Sequence, residues 1–341
     1  MPERHKPRVL IVTPAAAKSN NGNWQTAWRW AKFLKQDFDV TIDQAWRGAP
    51  CDVLLALHAR RSAGEISAWA QAHGLTHDVP RLGVVLTGTD LYRDIDTDAA
   101  ARRSLELARV LVVLQEKGLR RLPAALRSKT RVIFQSTTMR QTLAKTTRHL
   151  RVVMVGHLRD EKLPQTLYQA ARLLRPENGI LIDHIGDPLD AELAAQARAT
   201  AAACPHYRWL GGLNHEATRR RIQRAHLLVH TSKMEGGAHV VMEAVCSGTP
   251  VLASRMDGNV GMLGTDYAGY FEVGDAKGLV ALLSTLRAEQ LAPGEGARSG
   301  LYSLLMRQSA LRAPLFAPEK EKSALIALVE DLLKETELGQ R

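Results

Sequence analysis

The sequence predicts an α/β protein of two doubly wound parallel sheets, and three observations lead to that class. Short unbroken runs of Val, Leu and Ile alternate with segments of helical period, as strands do when helices cover both faces of their sheet. The series halts near Thr146 and restarts at Leu150. The chain has 341 residues, long for one core and ample for two.

The first strand is Arg8-Val-Leu-Ile-Val12, stopped by Pro14. A polar loop, Lys18-Ser-Asn-Asn-Gly-Asn23, leads into a helix over residues 24–35. Residues 38–42, 51–57, 82–86, 110–114 and 131–134 supply five further strands, with helices such as 63–73 and 98–108 between them. The second series begins with a strand at 150–155 and a helix at 164–174. It continues with strands at 179–185, 207–210, 226–230 and 250–253. A final helix at 319–334 carries an apolar stripe of Leu325, Ile326, Leu328, Val329, Leu332 and Leu333. The expected organisation is an N-terminal domain at 1–148 and a second domain at 149–318. A helical tail at 319–341 is expected to pack back toward the first domain. Two such domains are expected to face each other across a cleft, with ligands beyond the carboxyl ends of the strands.

Lys and Arg number 46 against 35 Asp and Glu, a formal net charge of +11. Such a balance attracts phosphorylated small molecules or polyanions. No zinc-finger spacing or aromatic RNA-binding pattern is present, and the pairs Arg102-Arg103 and Arg120-Arg121 and the run Arg219 to Arg221 read as solvated faces. Nucleic acid is therefore not an expected partner. Cys51, Cys204 and Cys246 lie far apart without metal spacing, which suggests reduced thiols in a cytoplasmic protein. The opening apolar run is too short for a signal segment, and nothing approaches the roughly 20 apolar residues of a membrane span.

The most informative stretch runs from His230 to Ser254, HTSKMEGGAHVVMEAVCSGTPVLAS. Glu235 stands in a loop after a strand. Gly236 and Gly237 let backbone approach a ligand closely. A helix starting near Ala238 offers free N–H groups and a dipole suited to phosphate, and it carries Glu243, which can accept bonds from vicinal hydroxyls such as those of a ribose. The plainer alternative is a tight turn and an acid that complements the helix dipole. On the N-terminal side, Lys18, Asn21, Gly22 and Asn23 form a second candidate anion seat, with a simple Asn-Gly turn as the alternative. Thr89 and Asp90, in Thr87-Gly-Thr-Asp-Leu-Tyr92, follow the fourth strand at its carboxyl end, and Asp90 reads equally well as a helix cap.

Glu235 to Glu243, followed by Ala244-Val-Cys-Ser-Gly-Thr-Pro250, resembles the E-x7-E signature of glycosyltransferase family 4, whose members have the GT-B fold of two Rossmann-like domains. The resemblance implies Glu243 on the nucleotide ribose and Glu235 on the donor sugar. Gly236, Gly237, Ala238 and His239 would complete that edge of the donor site, with Ala238 standing where the family commonly has Gly. Val155-Gly-His-Leu-Arg-Asp-Glu-Lys162 resembles the family's G-R-L-x-x-x-K motif, which neutralises the donor diphosphate. Gly156 and Lys162 match it. His157 replaces the Arg, so Arg159 or a protonated His157 is left to supply that charge. Trp209-Leu-Gly-Gly-Leu213 resembles the loop that meets the base, giving Gly212 and Leu213. The resemblance implies Lys162, Arg159, His157 and Glu235 as the catalytic group, no tightly bound cofactor and no required metal.

A narrower resemblance covers the whole chain. Thr13-Pro14 with Asn20-Asn-Gly-Asn23, Leu86-Thr-Gly-Thr-Asp-Leu-Tyr92, Gly156-His-Leu-Arg-Asp-Glu-Lys162 and Glu235-Gly-Gly-Ala-His239 are similar to the selenosugar synthases of selenoneine biosynthesis. That implies UDP-N-acetylglucosamine or UDP-glucose as donor, selenophosphate as acceptor, a 1-selenosugar as product, and other enzymes of the same route as partners. The alternative is a retaining family 4 enzyme with a hydroxyl acceptor.

Overall fold

The computed structural model describes residues 6–14, 22–292 and 300–334. They form two compact α/β units, the class expected from the sequence. The first holds the chain up to Ser136 and again from Pro318, and the second is Thr137–Ala317.

The first unit is built on six parallel strands: β1 (Arg8–Val12), β2 (Asp39–Asp43), β3 (Val53–Leu57), β4 (Val79–Leu86), β5 (Ala108–Val113) and β6 (Thr130–Val132). Their order is β2-β1-β3-β4-β5-β6. The pleat explains why these strands lack polar residues. Leu10, Leu54 and Leu111 point to one face, where they meet Ile66, Trp69 and Leu105 of the helices Ala63–Ala72 and Ala99–Leu107. Val9, Ile11, Leu55 and Val112 point to the other, against the helices Gly22–Leu34 and Pro318–Lys334. The terminal helix thus lies in the first unit's core through Leu325, Leu328, Val329 and Leu332.

That helix also carries a buried acid, Glu321. Its carboxylate accepts hydrogen bonds from Arg29 Nε (2.9 Å), Trp30 Nε1 (2.8 Å), and the Ser136 amide and hydroxyl (2.8 and 2.6 Å).

The second unit is built on β7 (Leu150–Val155), β8 (Ile180–Ile185), β9 (Tyr207–Trp209), β10 (Leu227–His230), β11 (Val251–Ser254) and β12 (Tyr270–Phe271), in the order β12-β11-β10-β7-β8-β9. Every pairing is parallel. The unit begins at Thr137, ahead of the strand series that restarts at Leu150. The intervening segment hydrogen-bonds along this unit: Thr137 N–H to the Phe316 carbonyl, Arg140 to Cys246 and Leu143 to Gln223. Among the described residues no helix is long and apolar enough to cross a membrane.

Candidate active site

Because the second sheet is parallel throughout, the carboxyl ends of its strands share one edge, and the candidate residues gather on the loops leaving it. Gly156 follows β7, Asp187 follows β8, Gly211 and Gly212 follow β9, and Thr231 to Glu235 follow β10. These loops fit tightly. A Cβ on Gly186 would stand 1.9 Å from the Gly156 carbonyl oxygen, and one on Gly212 would stand 1.9 Å from the Asp187 carboxylate. Gly212 and Leu213 are exposed at this edge. His157 Nδ1 accepts the Asp187 N–H at 3.1 Å. Partial burial pushes the His157 imidazolium down; Asp187 opposes this, while Arg159 and Lys162 add to it. His157 is therefore neutral, with its proton on Nε2, rather than the charged substitute for Arg that the sequence left open. Arg159 is exposed.

Lys162 Nζ donates to Glu235 Oε1 in a close ion pair whose side chains are each 12% exposed. Ser232 Oγ donates to the same oxygen at 2.9 Å, and His230 Nε2 lies 3.2 Å from Ser232 Oγ. Two bonds between loops set this geometry. Thr231 Oγ1 donates to the Lys162 carbonyl (2.7 Å), and the Lys233 amide donates to the Glu161 carbonyl (3.0 Å). Burial alone would raise the Glu235 carboxyl. Lys162 first, with His230 and Arg159, outweighs it and brings the pKa below the usual value. Burial, reinforced by Lys162, pushes His230 down to about 4, so it stands neutral behind the pair.

Glu243 sits on the short helix His239–Val245 and is 4% exposed. Three basic side chains surround Oε1: His215 Nε2 at 2.5 Å, His239 Nδ1 at 3.4 Å and Arg219 Nη1 at 3.6 Å. Burial would raise this carboxyl, but His215, then His239 and Arg219, pull it down to about 2. Arg219 is itself 1% exposed and is held by Thr137 Oγ1 (2.6 Å) and the Thr138 carbonyl (3.0 Å). The spacing in the sequence pointed to neither His215 nor Arg219. Their partner is a distant residue that only the fold brings near.

One donor-side expectation is corrected here. Ala238 is buried and its N–H donates to Met262 Sδ at 3.1 Å, so this amide is spent inside the unit and is not a free phosphate donor. Gly236 and Gly237 precede it, and His239 opens the helix.

In the first unit, Gly22 and Asn23 are the opening residues of the helix Gly22–Leu34, and Lys18 and Asn21 lie outside the described residues. Asp90 is fully buried. One oxygen accepts the N–H groups of Thr87 (2.9 Å), Gly88 (2.8 Å) and Leu91 (3.0 Å), and the other accepts Ala59 (3.0 Å). The carboxylate is filled by backbone donors, so Asp90 holds its loop and is corrected as an acceptor ligand. Thr89, beside it, is half-buried, with its hydroxyl 3.0 Å from His58 Nε2. His58 was not anticipated from the sequence. Among the described residues no group of three or more His, Cys, Asp or Glu is placed to hold a metal ion.

Residues 135–292 match the family model described as Glycosyl transferases group 1. No curated protein sequence matches the chain. Solved structures of similar fold include HepE from Anabaena in complex with UDP-glucose, with a TM-score of 0.71 and 13% identity, covering 95% of this chain and 99% of HepE. Sucrose-phosphate synthase from Thermosynechococcus elongatus has a TM-score of 0.71 at 16% identity, covering 96% and 99% of the two chains. TarM from S. aureus has a TM-score of 0.60 at 13% identity over 83% of this chain, which spans only 56% of TarM's length. The matched segment carries the group 1 pattern, and the two-unit α/β fold is that of GT-B glycosyltransferases.

Proposed function

We propose that this chain is a UDP-sugar-dependent glycosyltransferase that joins the sugar to selenophosphate, releasing UDP and a 1-selenosugar. One observation carries the donor half of that reading. Within the segment matching group 1 glycosyltransferases, a Lys162–Glu235 ion pair and a separately caged, ionised Glu243 stand on loops at one carboxyl edge of a parallel sheet. HepE and sucrose-phosphate synthase share the fold, and HepE was solved with UDP-glucose, which supports a nucleoside-diphosphate sugar as donor. The acceptor half is supported by the sequence resemblance to selenosugar synthases.

The chemistry follows from the side chains. Glu243, ionised at any ordinary pH, accepts hydrogen bonds from the vicinal hydroxyls of the ribose. Lys162 exchanges Glu235 for the donor diphosphate, which frees Glu235 to bond the sugar hydroxyls. The bond between the sugar C1 and the β-phosphate oxygen breaks, and its electron pair leaves on UDP. Lys162 and Arg159 neutralise the developing charge, and neutral His157 donates through Nε2–H. The selenium of selenophosphate supplies the electron pair for the new C1–Se bond. Selenophosphate arrives as an anion, so no general base has to remove a proton first.

Mass spectrometry of reactions with UDP-N-acetylglucosamine or UDP-glucose, each with and without fresh selenophosphate, tests the proposal. UDP release with a selenium isotope pattern on a hexose product is the expected result. UDP release without selenium incorporation would move the acceptor to a hydroxyl compound. No UDP release from either donor, under any acceptor condition, would overturn the glycosyltransferase reading.

A further inference from the structure

The first unit holds a built cluster, at the carboxyl ends of β3 and β4, that the donor chemistry does not use. His58 is the first residue after β3, is 2% exposed and has φ of 75°. That left-handed backbone is costly for a bulky side chain, and strain of this kind persists only where the surroundings over-determine it. Here they do. The His58 amide donates to the Val85 carbonyl (2.8 Å), the Ser62 amide donates to the His58 carbonyl (3.0 Å), and Ser62 Oγ donates to the Leu57 carbonyl (2.7 Å).

The ring's tautomer follows from its partners. Nδ1 accepts the Arg61 N–H at 3.3 Å, so the proton of the neutral imidazole sits on Nε2. Nε2–H then donates to Thr89 Oγ1 at 3.0 Å. Burial keeps the ring neutral despite the opposing pull of Asp90. A hydroxyl that accepts on one side has its own proton left to give. The loop bearing it is fixed by the four N–H groups gathered on Asp90. Close by, the Arg61 guanidinium is exposed and has no ion-pair partner among the described residues, so the surroundings favour an anion.

We propose that His58 is a positioning residue that holds the Thr89 hydroxyl as a hydrogen-bond donor to an oxyanion, and that this oxyanion belongs to the acceptor. The second part rests on the functional reading above, and the first does not. The bond His58 makes is to Thr89, so its effect on a ligand passes through that hydroxyl.

The test uses the full chain with 15N-labelled histidine and inorganic phosphate as probe, the His58 signal being the one lost in His58→Asn. Asn tolerates the left-handed backbone, so this variant spares the fold. The His58 ring should be protonated on Nε2 alone. Added phosphate should shift its Nε2 signal in the native protein and in Thr89→Ser, but not in Thr89→Val. In steady state, Thr89→Val and His58→Asn should each raise KM for selenophosphate about tenfold, the size of one charge-assisted hydrogen bond. The double variant should be no worse than either single variant, because the two act in series. UDP affinity should stay constant. A ring protonated on Nδ1, a phosphate shift that survives Thr89→Val, or additive effects on KM would overturn the proposal. If the phosphate shifts behave as expected but selenophosphate is not turned over, the positioning role stands and the functional reading fails.

Discussion

His215 Nε2 lies 2.5 Å from Glu243 Oε1, joining an imidazole that is 69% exposed to a carboxylate that is 5% exposed. The bond raises the His215 pKa above its usual 6.5, chiefly through the hydrogen bond itself, with burial opposing. A raised folded pKa gives stability that is fully present below the unfolded value and is lost as pH rises through the folded one. His215→Gln should therefore lower the melting temperature most at about pH 6 and least at about pH 9. Thermal melts across that range check it, and a pH-independent difference would show that the ion pair contributes nothing.

Glu243 has the opposite sign. Its pKa is lowered from 4.5 to about 2, so it contributes stability above the unfolded value that disappears as pH falls toward 2. At neutral pH it is a buried anion ready to accept hydroxyl protons. Glu243→Ala should weaken UDP binding about tenfold or more, the loss of hydrogen bonds to a charged acceptor. Calorimetric titration with UDP reads this directly, and unchanged affinity would remove Glu243 from the nucleotide site.

Lys162→Ala leaves Glu235 buried without its main counter-charge. Its carboxyl should then rise in pKa, and the fold should lose roughly 3 kcal/mol, as when one partner of a buried pair is removed. The transferred sugar's leaving group also loses a cation. Turnover should fall by about 10²-fold or more while UDP affinity changes much less, because the charge develops mainly in the transition state. Equal losses in turnover and UDP affinity would mark Lys162 as a ground-state binding residue instead.

Much of this was legible in the sequence, for a definite reason. Runs such as Val-Leu-Leu-Ala-Leu57 are apolar at every position because both sheet faces are covered, and an unbroken run reads the same from sequence as in the fold. Lys162, Glu235 and Glu243 were found because a loop after a strand is a fixed address. The strand Tyr270–Phe271 was not, since two residues carry no period. His215 and Arg219 meet Glu243 across 28 and 24 positions, and His58 meets Thr89 across 31, distances at which spacing has no meaning. Asp90 shows the reverse failure. A carboxylate after a strand looks alike whether a ligand or four backbone N–H groups will fill it. Ala238 misled for the same reason, because its amide partner, Met262 Sδ, comes from another helix.

Gly258 bears on the same loop. A Cβ there would stand 2.2 Å from the Glu235 carbonyl oxygen, a backbone atom that cannot rotate away. Gly258→Ala should displace the loop by several tenths of an ångström and carry Glu235 with it. Catalytic geometry tolerates little of this, so kcat/KM for the sugar donor should fall by about 10²-fold with the fold retained. Circular dichroism alongside donor kinetics separates the two effects. Native-like kinetics would mean that the loop yields without moving its carboxylate.

Glu321 gives the most direct test of how the terminal helix is tied to the first unit. Its 2%-exposed carboxylate serves Arg29, the Trp30 indole and both donors of Ser136, which come from separate stretches of that unit. The apolar stripe explains why the helix packs, and Glu321 explains why it packs in one register. Glu321→Ala would leave the Arg29 charge and the buried indole N–H without their acceptor. The cost should be roughly 3–5 kcal/mol, the range for removing one partner of a buried pair. Glu321→Gln keeps an acceptor for Trp30 but gives Arg29 a neutral partner, so it should cost less than Ala and more than a surface substitution. Urea unfolding of the three proteins orders these values. If Glu321→Ala unfolds at the same midpoint as the native chain, the terminal helix is held by its leucines alone and the carboxylate network contributes nothing measurable.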